Sequence, residues 1–351
     1  MKYNMKSNQY SDTYVGITQA ESLALRGVCI SLVVLHNLIH NVVPFHENEK
    51  WFNQVNADFF IHNVADHPLL GILSYAGWMG VPIFFFFCGY GLTIKYGDMI
   101  PSKLQFIKRH YLKLLFIFGP IVVANGILIH MPLSEILGEL TFLNNIVDFN
   151  HRILPAAFWY VRCAFEFYLL YALILYKANP KYMLILGLIV CLLLMFLDGM
   201  AVRAIKLHSI GWLMDFSLGC YIATTPSVLR HIENKMAGLL LMILLAFSII
   251  QQQMWVISDV LIILFLLSIR RYLTNKIFLF IGTISAFLYA THPIIRTFWH
   301  WELDYMNGNV FMITMSIGLY FIVCIIVATL YRSCYIKFES YINKIFNKKE
   351  C

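Results

Sequence analysis

The sequence predicts an all-α integral membrane protein with about ten transmembrane helices and both termini in the cytoplasm. The 351-residue chain is 60% hydrophobic and 13% charged, whereas a soluble domain is roughly 45–50% apolar and 25% charged. Its mean hydropathy is +0.71. This composition excludes a soluble enzyme, a disordered protein and an ordinary nucleic-acid-binding protein. The net charge of +7 therefore bears on membrane orientation and predicts no nucleic-acid partner.

Ten segments are apolar and long enough to cross a bilayer, which takes about 20 mostly apolar residues. They lie near 21–43, 69–95, 104–129, 155–176, 182–198, 207–224, 236–251, 254–270, 277–299 and 309–332. Only Gln251, Gln252 and Gln253 separate the seventh span from the eighth. The sequence therefore predicts a tight hairpin at that point.

The basic residues predict the orientation of these spans. With the N-terminus inside, 20 of the 26 lysines and arginines fall in cytoplasmic segments and 5 in outer segments, while Arg162 lies within a span. The positive-inside rule requires this asymmetry, and an error of one span would scramble the loops after it. We therefore expect a cytoplasmic tail over 1–20, a transmembrane domain over 21–332, and an amphipathic tail over 333–351 on the inner leaflet.

Neither a disulfide framework nor a metal centre is expected. Most of the eight cysteines fall inside apolar runs, and none forms a CxxC pair. The predicted outer loop over 44–68 contains His46, His62 and His67. Solvated loop histidines are favoured there over a metal site. The polar first 20 residues, with no cleavage site after the following apolar segment, predict no cleavable signal peptide.

Polar side chains inside the spans require a partner or a function, because a charge at mid-bilayer costs roughly 2.5–3.5 kcal/mol on insertion scales. Span one contains Arg26 near its cytoplasmic end, and His36 and His40 four residues apart on one face. The helical rise places His36 roughly 22 Å from the cytoplasmic end. Two histidines on one face, with an arginine on the same helix, favour a functional site over structural hydrogen bonds.

Span four contains one polar stripe, formed by Trp159, Arg162 and Glu166. Arg162 and Glu166 lie four residues apart, so the two side chains are able to pair along the helix. Two interpretations stay open at this stage. The stripe is either a neutralised structural ion pair or the polar wall of a cavity.

Span nine is polar along a whole helical face. Its stripe is Gly282, Ser285, Tyr289, His292 and Arg296, at offsets 0, 3, 7, 10 and 14. Such a face is incompatible with lipid, and the proline at position 293 predicts a kink that frees a backbone carbonyl. His292 is also about 22 Å deep by its rise, so His36 and His292 are expected at one level.

Together these residues predict a polar cavity among spans one, four and nine, with a basic cytoplasmic mouth. The mouth is rimmed by Arg26, Lys108, Arg109, Lys113, Arg270 and Arg271. A basic mouth attracts a polyanion, and a deeper histidine suits proton transfer near neutral pH. The pattern favours group transfer from a phosphorylated cytosolic donor, although membrane orientation alone would account for most of these charges.

Four stretches carry a family resemblance. They are Leu25-Arg26-Gly27 leading to Val33-Val34-Leu35-His36; Gly80-Val81-Pro82-Ile83-Phe84-Phe85-Phe86-Phe87-Cys88-Gly89-Tyr90; Phe158-Trp159-Tyr160-Val161 followed by Phe167-Tyr168-Leu169-Leu170; and Gly282-x-x-Ser285-x-x-x-Tyr289-x-x-His292. In this order they resemble the membrane-bound acyltransferase-3 family, which O-acylates surface carbohydrates and related molecules. The resemblance covers about residues 20–330, with Cys88 where serine is usual.

The resemblance implies an acyl-coenzyme A donor, usually acetyl, bound from the cytoplasm. It also implies an essential arginine and histidine on the first helix, which are Arg26 and His36 here. The family has ten residues between them and this chain has nine, so that Asn37 occupies the expected position. Because one residue rotates a side chain by about 100°, either the helix is locally irregular, or His36 reaches the site from a neighbouring direction, or His40 is the base. Ala157 also stands where a histidine often precedes the fourth-helix motif.

We therefore predict an integral-membrane O-acyltransferase that moves an acyl group, acetyl by resemblance, from cytoplasmic acyl-CoA to a hydroxyl of a carbohydrate or glycolipid. His36 is the predicted base, with Arg26 and His40 as the other catalytic candidates. Arg26, Lys108, Arg109 and Lys113 would bind coenzyme A; Trp159, Arg162, Glu166, Ser285, Tyr289 and His292 would line the acceptor site. No bound cofactor or metal is expected. Membrane lipid is the remaining partner, and the resemblance implies a multi-pass protein of the bacterial inner membrane.

Two other functions remain open. A transporter or flippase for a glycan or lipid-linked intermediate would also have buried polar stripes and a proline-kinked helix. Dependence on acyl-CoA distinguishes it from a transferase. The third possibility is a degenerate family member that acts only as a scaffold.

Overall fold

The computed structural model describes residues 16–40, 58, 61–62, 64–97, 99–100, 102–144, 158–197, 199–250, 254–305 and 309–347. Within these ranges the chain is helical and forms no strand. In chain order the helices are α1 (Gln19–Ile39), α2 (Pro68–Ala76), α3 (Val81–Tyr96), α4 (Lys103–Leu128), α5 (Leu133–Leu140), α6 (Trp159–Leu173), α7 (Pro180–Leu194), α8 (Gly199–Lys206), α9 (Leu213–Thr224), α10 (Val228–Ile232), α11 (Lys235–Ile250), α12 (Trp255–Leu273), α13 (Lys276–Thr283), α14 (Ser285–Tyr305) and α15 (Val310–Asn347). Short 3₁₀ segments are Gly77–Gly80, Leu175–Lys177 and Ser209–Trp212.

Each predicted span coincides with one of these helices or with a pair of them, so the prediction of an all-α membrane protein is confirmed for the described residues. Three helices are long and apolar enough to cross a membrane by length and composition: α1, α4 and α15. Counting α13 and α14 together makes a fourth. The number of ten spans stays a prediction. The predicted hairpin at 251–253 lies outside the described residues.

Helix α1 is continuous and lies at the centre of the fold. It begins with a capping box, in which the Glu21 backbone N–H donates to Thr18 and the Thr18 backbone N–H donates to Glu21. The helix then continues unbroken to Ile39. Of the three explanations offered for the shifted histidine, a local irregularity in the first helix is therefore wrong. Ten residues of regular helix rotate His36 by about 80° from the direction of Arg26.

The start of α1 is in backbone contact with α13 through two glycines. A β-carbon on Gly27 would lie 2.1 Å from the Phe278 carbonyl oxygen, and one on Gly282 would lie 2.0 Å from that of Leu23. Only glycine fits at such an approach, as in other closely packed membrane helices. The contact fixes where the polar residues of α14 begin relative to α1.

Two predicted spans are broken helices. Span two consists of α2, the 3₁₀ segment Gly77–Gly80 and α3, and two glycines and a proline at positions 77, 80 and 82 favour the break. In span nine, α13 and α14 are bent by 74° across residue 284. Pro293 lies inside α14, beyond this bend, so the break at residue 284 is one that the sequence did not indicate, and the kink expected at Pro293 stays a prediction. Gly282 is consequently on α13 and does not share one continuous face with the rest of the stripe.

Helix α5 folds back along α4, in the segment that the span assignment leaves as an outer loop. Ile136 lies against Gly126, and Leu140 lies against Gly119 on α4. As α5 proceeds, its contacts therefore move back toward the start of α4. The helix is flanked by His130 with φ 55° and Phe142 with φ 57°, uncommon values for non-glycine residues.

Helix α15 has 38 residues, about 57 Å of helix, and it extends past the predicted span. Tyr331 donates its hydroxyl to the Ile117 carbonyl at 2.8 Å. Phe338 packs on Phe116 with ring centroids 5.6 Å apart. The start of the predicted tail is thus a continuation of α15 that packs on α4. Its position on the inner leaflet stays a prediction.

Candidate functional site

Arg26 faces α3 and α6 from the first half of α1. Its guanidinium donates to the backbone oxygen and the hydroxyl of Ser22, each at 3.1 Å. Its Cζ lies 5.7 Å from the centroid of the Phe87 ring, and Tyr160 is within electrostatic range. Ser22 and Phe87 hold the side chain without neutralising its charge.

Lys113 on α4 joins Arg26 in a basic mouth. The charges of Arg26, Lys95 and Arg109 all act on Lys113, with Glu339 as an acidic neighbour. Lys108 lies exposed on the same helix. Mutually repelling cations raise the local potential and favour a polyanionic ligand. The sequence did not assign Lys95 to the site, because it lies on a different helix, at the end of α3.

Arg270 and Arg271 do not contribute free charge to this mouth. Arg270 is buried and ion-paired with Glu233 and, at 3.3 Å, with Glu21. Arg271 pairs with Glu233 at 2.9 Å. These pairs join α12 to α1 and to the residue after α10. The predicted rim of the basic mouth therefore included two arginines whose charges are already paired.

His36 is oriented by the broken span two. Its Nδ1 donates to the carbonyl oxygen of Ser74, in the last turn of α2, where helix carbonyls lack partners within the helix. Because a carbonyl only accepts, Nδ1 carries the proton and Nε2 holds the lone pair. A β-carbon on Gly77 would lie 2.0 Å from that of His36. The 3₁₀ segment therefore packs this closely against α1 only with glycine at position 77.

His40 stacks on His36, with ring centroids 5.3 Å apart and planes at 18°. The prediction that the two rings share one face of the first helix is confirmed. The two rings lie on the side of α1 that contacts α2, since His36 is bonded to Ser74 of α2. Asn37, in the register of Arg26, accepts a bond at its backbone oxygen from Nη1 of Arg296 at 3.0 Å.

The polar residues of α14 lie between α1 and α6. Ser285 is buried in the first turn, and Tyr289 packs its ring 5.4 Å from Tyr160. The His292 ring is 5.6 Å from Tyr289 and fully buried. Ring contacts therefore run from Tyr160 through Tyr289 to His292, and Tyr160 interacts electrostatically with Arg26.

The α6 stripe is held by partners that the sequence pattern did not indicate. Arg162 is ion-paired with Glu139 of α5, both side chains being buried. Glu166 accepts from His208 Nδ1 at 3.2 Å and from the Ser209 backbone N–H at 2.7 Å. The structure thus assigns Arg162 and Glu166 to separate neighbours. Glu139 is 23 residues from Arg162, and His208 is 42 residues from Glu166. Residue spacing along one helix does not indicate partners so far away in the chain.

An aromatic wall completes this side of the site. Trp159 stacks on Trp212 with centroids 5.3 Å apart, and Phe85 is 4.9 Å from the same indole. Trp212 and Phe85 are fully buried behind Trp159, which is half-buried, and the flat apolar face of an indole suits the carbon skeleton of a ligand whose polar groups bind elsewhere.

Metal binding finds no support in the part of the chain that the structure describes, where no group of three or more His, Cys, Asp and Glu could hold an ion. His62 of the predicted outer loop pairs with Asp66 at 3.2 Å, and both are exposed. His46 and Ala157, on which two sequence expectations rest, lie outside the described residues.

Comparison with known proteins gives one match. A family model described as an acyltransferase domain, of the acyltransferase-3 type, matches residues 23–332. No curated protein and no solved structure matches the chain. The matched range includes the basic mouth, the oriented histidines and the polar part of α14.

Proposed function

The chain belongs to the membrane-bound acyltransferase-3 family, and from this premise we propose that it is an O-acyltransferase using cytoplasmic acyl-CoA. The acyl group is acetyl and the acceptor a hydroxyl of a carbohydrate or glycolipid. The protein has ten spans with both termini in the cytoplasm of a bacterial inner membrane. The family match supports a membrane acyltransferase; donor, acceptor, base and topology are the proposal.

The hydrogen bond from His36 Nδ1 to the Ser74 carbonyl carries this proposal, because it presents Nε2 as a base. The acceptor hydroxyl gives its proton to Nε2 while its oxygen attacks the thioester carbonyl. Collapse of the tetrahedral intermediate breaks the carbon–sulfur bond, and the leaving thiolate takes the proton from the imidazolium. The step needs no further reactant.

The acceptor side is lined by residues of α6 and α14, as the sequence predicts: Trp159, Arg162, Glu166, Ser285, Tyr289 and His292. Glu139 and His208 fix Arg162 and Glu166 in place. Fixed side chains of this kind orient a substrate without reorganising during the reaction. Tyr289 and Trp159 supply the apolar faces.

The phosphates of coenzyme A bind the basic mouth of Arg26, Lys108, Arg109 and Lys113, together with Lys95. We expect Lys113→Gln to raise the KM for acetyl-CoA about 3- to 5-fold, the worth of one partly exposed charge pair. The effect should shrink as salt screens the charges. Initial rates at varied acetyl-CoA concentration measure it.

Arg271→Gln is the matched control for Lys113→Gln, because it removes an exposed cation already paired with Glu233. Its KM should stay within about twofold of the wild-type value, as expected for a surface pair. Equal KM values for both variants would contradict a phosphate site at Lys113.

The function itself is tested in membranes from a deletion strain and from the same strain restored with this gene. Radiolabelled acetyl-CoA should label a surface carbohydrate only in the restored strain. Proton NMR of that material should show an O-acetyl methyl signal. Unchanged acetylation with reduced glycan export would instead favour a transporter.

A further inference from the structure

His292 holds a ring nitrogen that no residue in the described part of the chain bonds. Its side chain is fully buried, and Nδ1 donates to the Leu288 carbonyl at 3.2 Å. The proton is therefore on Nδ1, and Nε2 is a bare acceptor. Nε2 has no hydrogen-bond partner among the residues that the structure describes. A buried acceptor left in this state lowers stability and calls for an explanation.

The backbone around His292 is fixed on several sides, which excludes a loose side chain as the explanation. Tyr320 of α15 donates its hydroxyl to the His292 carbonyl at 3.0 Å. Thr297 donates to the Pro293 carbonyl at 3.1 Å. One turn further on, Arg296 binds the backbone of Asn37. The backbone that carries the ring is thus fixed, and the Nδ1 bond to Leu288 orients the ring itself, while no described residue bonds Nε2.

His292 also lies at the end of a series of neighbouring side chains that begins at the basic mouth. Its ring neighbours Tyr289, Tyr289 neighbours Tyr160, and Tyr160 interacts with the charge of Arg26. His36 is bonded to the Ser74 carbonyl of α2. A substrate anchored at the mouth therefore has a base on the α2 side and a second nitrogen on the α14 side.

We propose that His292 Nε2 is the acceptor of a hydrogen bond from an uncharged O–H or N–H group of the bound substrate. Carboxylates and ionised phosphates have no proton to donate and are excluded. Two sources share the required chemistry: a hydroxyl of the acyl acceptor, or a pantetheine amide of acyl-CoA. This inference rests on the proposed transferase function, in which His292 lines the acceptor side, and specifies the bond that His292 makes and the kind of group that makes it.

The test compares the full-length wild type with His292→Leu and His292→Gln, in nanodiscs and in native membranes supplied with radiolabelled acetyl-CoA. Leucine removes the unbonded nitrogen, so its thermal unfolding midpoint should rise by about 2–4 °C while labelling of endogenous carbohydrate falls at least tenfold. Glutamine supplies an acceptor oxygen at similar reach and should keep labelling within about threefold of wild type. Opposite signs for stability and activity distinguish a ligand site from a structural one.

Thr291→Val is the matched control. Thr291 is the buried neighbour of His292, and its hydroxyl is already bonded to the Phe287 carbonyl. This variant should neither gain stability nor lose labelling. The proposal is overturned if His292→Leu labels at the wild-type rate, or if its unfolding midpoint falls below that of wild type.

Coenzyme A alone separates the two sources. A ligand that binds only the folded protein raises its unfolding midpoint. If His292→Leu keeps the midpoint shift caused by coenzyme A, the group that donates to His292 is the hydroxyl of the molecule that receives the acyl group. If the variant loses the shift, that group is a pantetheine amide of coenzyme A. Failure of the proposed function is seen separately, as no labelling and no shift in the wild type.

Discussion

His36→Ala is expected to lower acyl transfer by about 10²–10⁴-fold, the usual contribution of a positioned general base. The variant removes the imidazole that the Ser74 carbonyl orients with Nε2 as the base. Binding of coenzyme A should persist, because the basic mouth lies near Arg26, ten residues earlier. Label transfer from acetyl-CoA and the thermal shift caused by coenzyme A measure the two effects.

His40→Ala is the control for this variant. His40 stacks on the base with ring centroids 5.3 Å apart. We therefore expect a loss of about threefold or less, the contribution of a modest ring contact. Full transfer by His36→Ala, with none by His40→Ala, would show that His40 is the base. Loss of coenzyme A binding together with transfer would indicate that His36→Ala had unfolded.

The helices were predictable because apolar windows in the sequence mark them directly, but their breaks were not. Hydropathy averages across Gly77–Gly80 and across residue 284, so two broken spans looked continuous. Pro293 does not mark the break at residue 284, because it lies inside α14, and membrane helices tolerate a proline when neighbouring groups satisfy the backbone. Helix α5 was missed because eight residues are too short for a span.

The sequence predicted which polar residues share a helix face, but it did not predict the partners that they contact on other helices. Periodicity placed His36 with His40, and the structure agrees. Spacing also suggested that Arg162 faces Glu166, yet the Arg162 partner shown by the structure is Glu139 from a segment with no apolar signal. Likewise, the sequence placed Arg270 in a basic rim, whereas the structure pairs it with Glu21 and Glu233. Local spacing indicates which residues share a helix face, whereas the partner across the face depends on tertiary packing.

The Arg162–Glu139 pair leads to the largest expected effect on stability. Glu139→Ala leaves the guanidinium of Arg162 buried without that carboxylate, and loss of one member of a buried pair costs about 3–5 kcal/mol. One nitrogen of this guanidinium, Nη1, already lacks a partner among the described residues, so little compensation is at hand. The unfolding free energy of the purified protein in lipid nanodiscs measures the effect.

A double replacement shows whether the loss of stability in Glu139→Ala comes from the unpaired charge or from lost packing. Glu139→Leu with Arg162→Met removes both charges and keeps most of the volume, so stability should return to within about 1 kcal/mol of wild type. Glu135→Ala, on the exposed side of the same helix, should change stability by about 0.5 kcal/mol or less. If Glu139→Ala were as mild as Glu135→Ala, the pair would not be what holds α5 against α6. If instead the double variant is stable but inactive, Arg162 is needed for the reaction and Glu139 keeps its charge in the membrane interior.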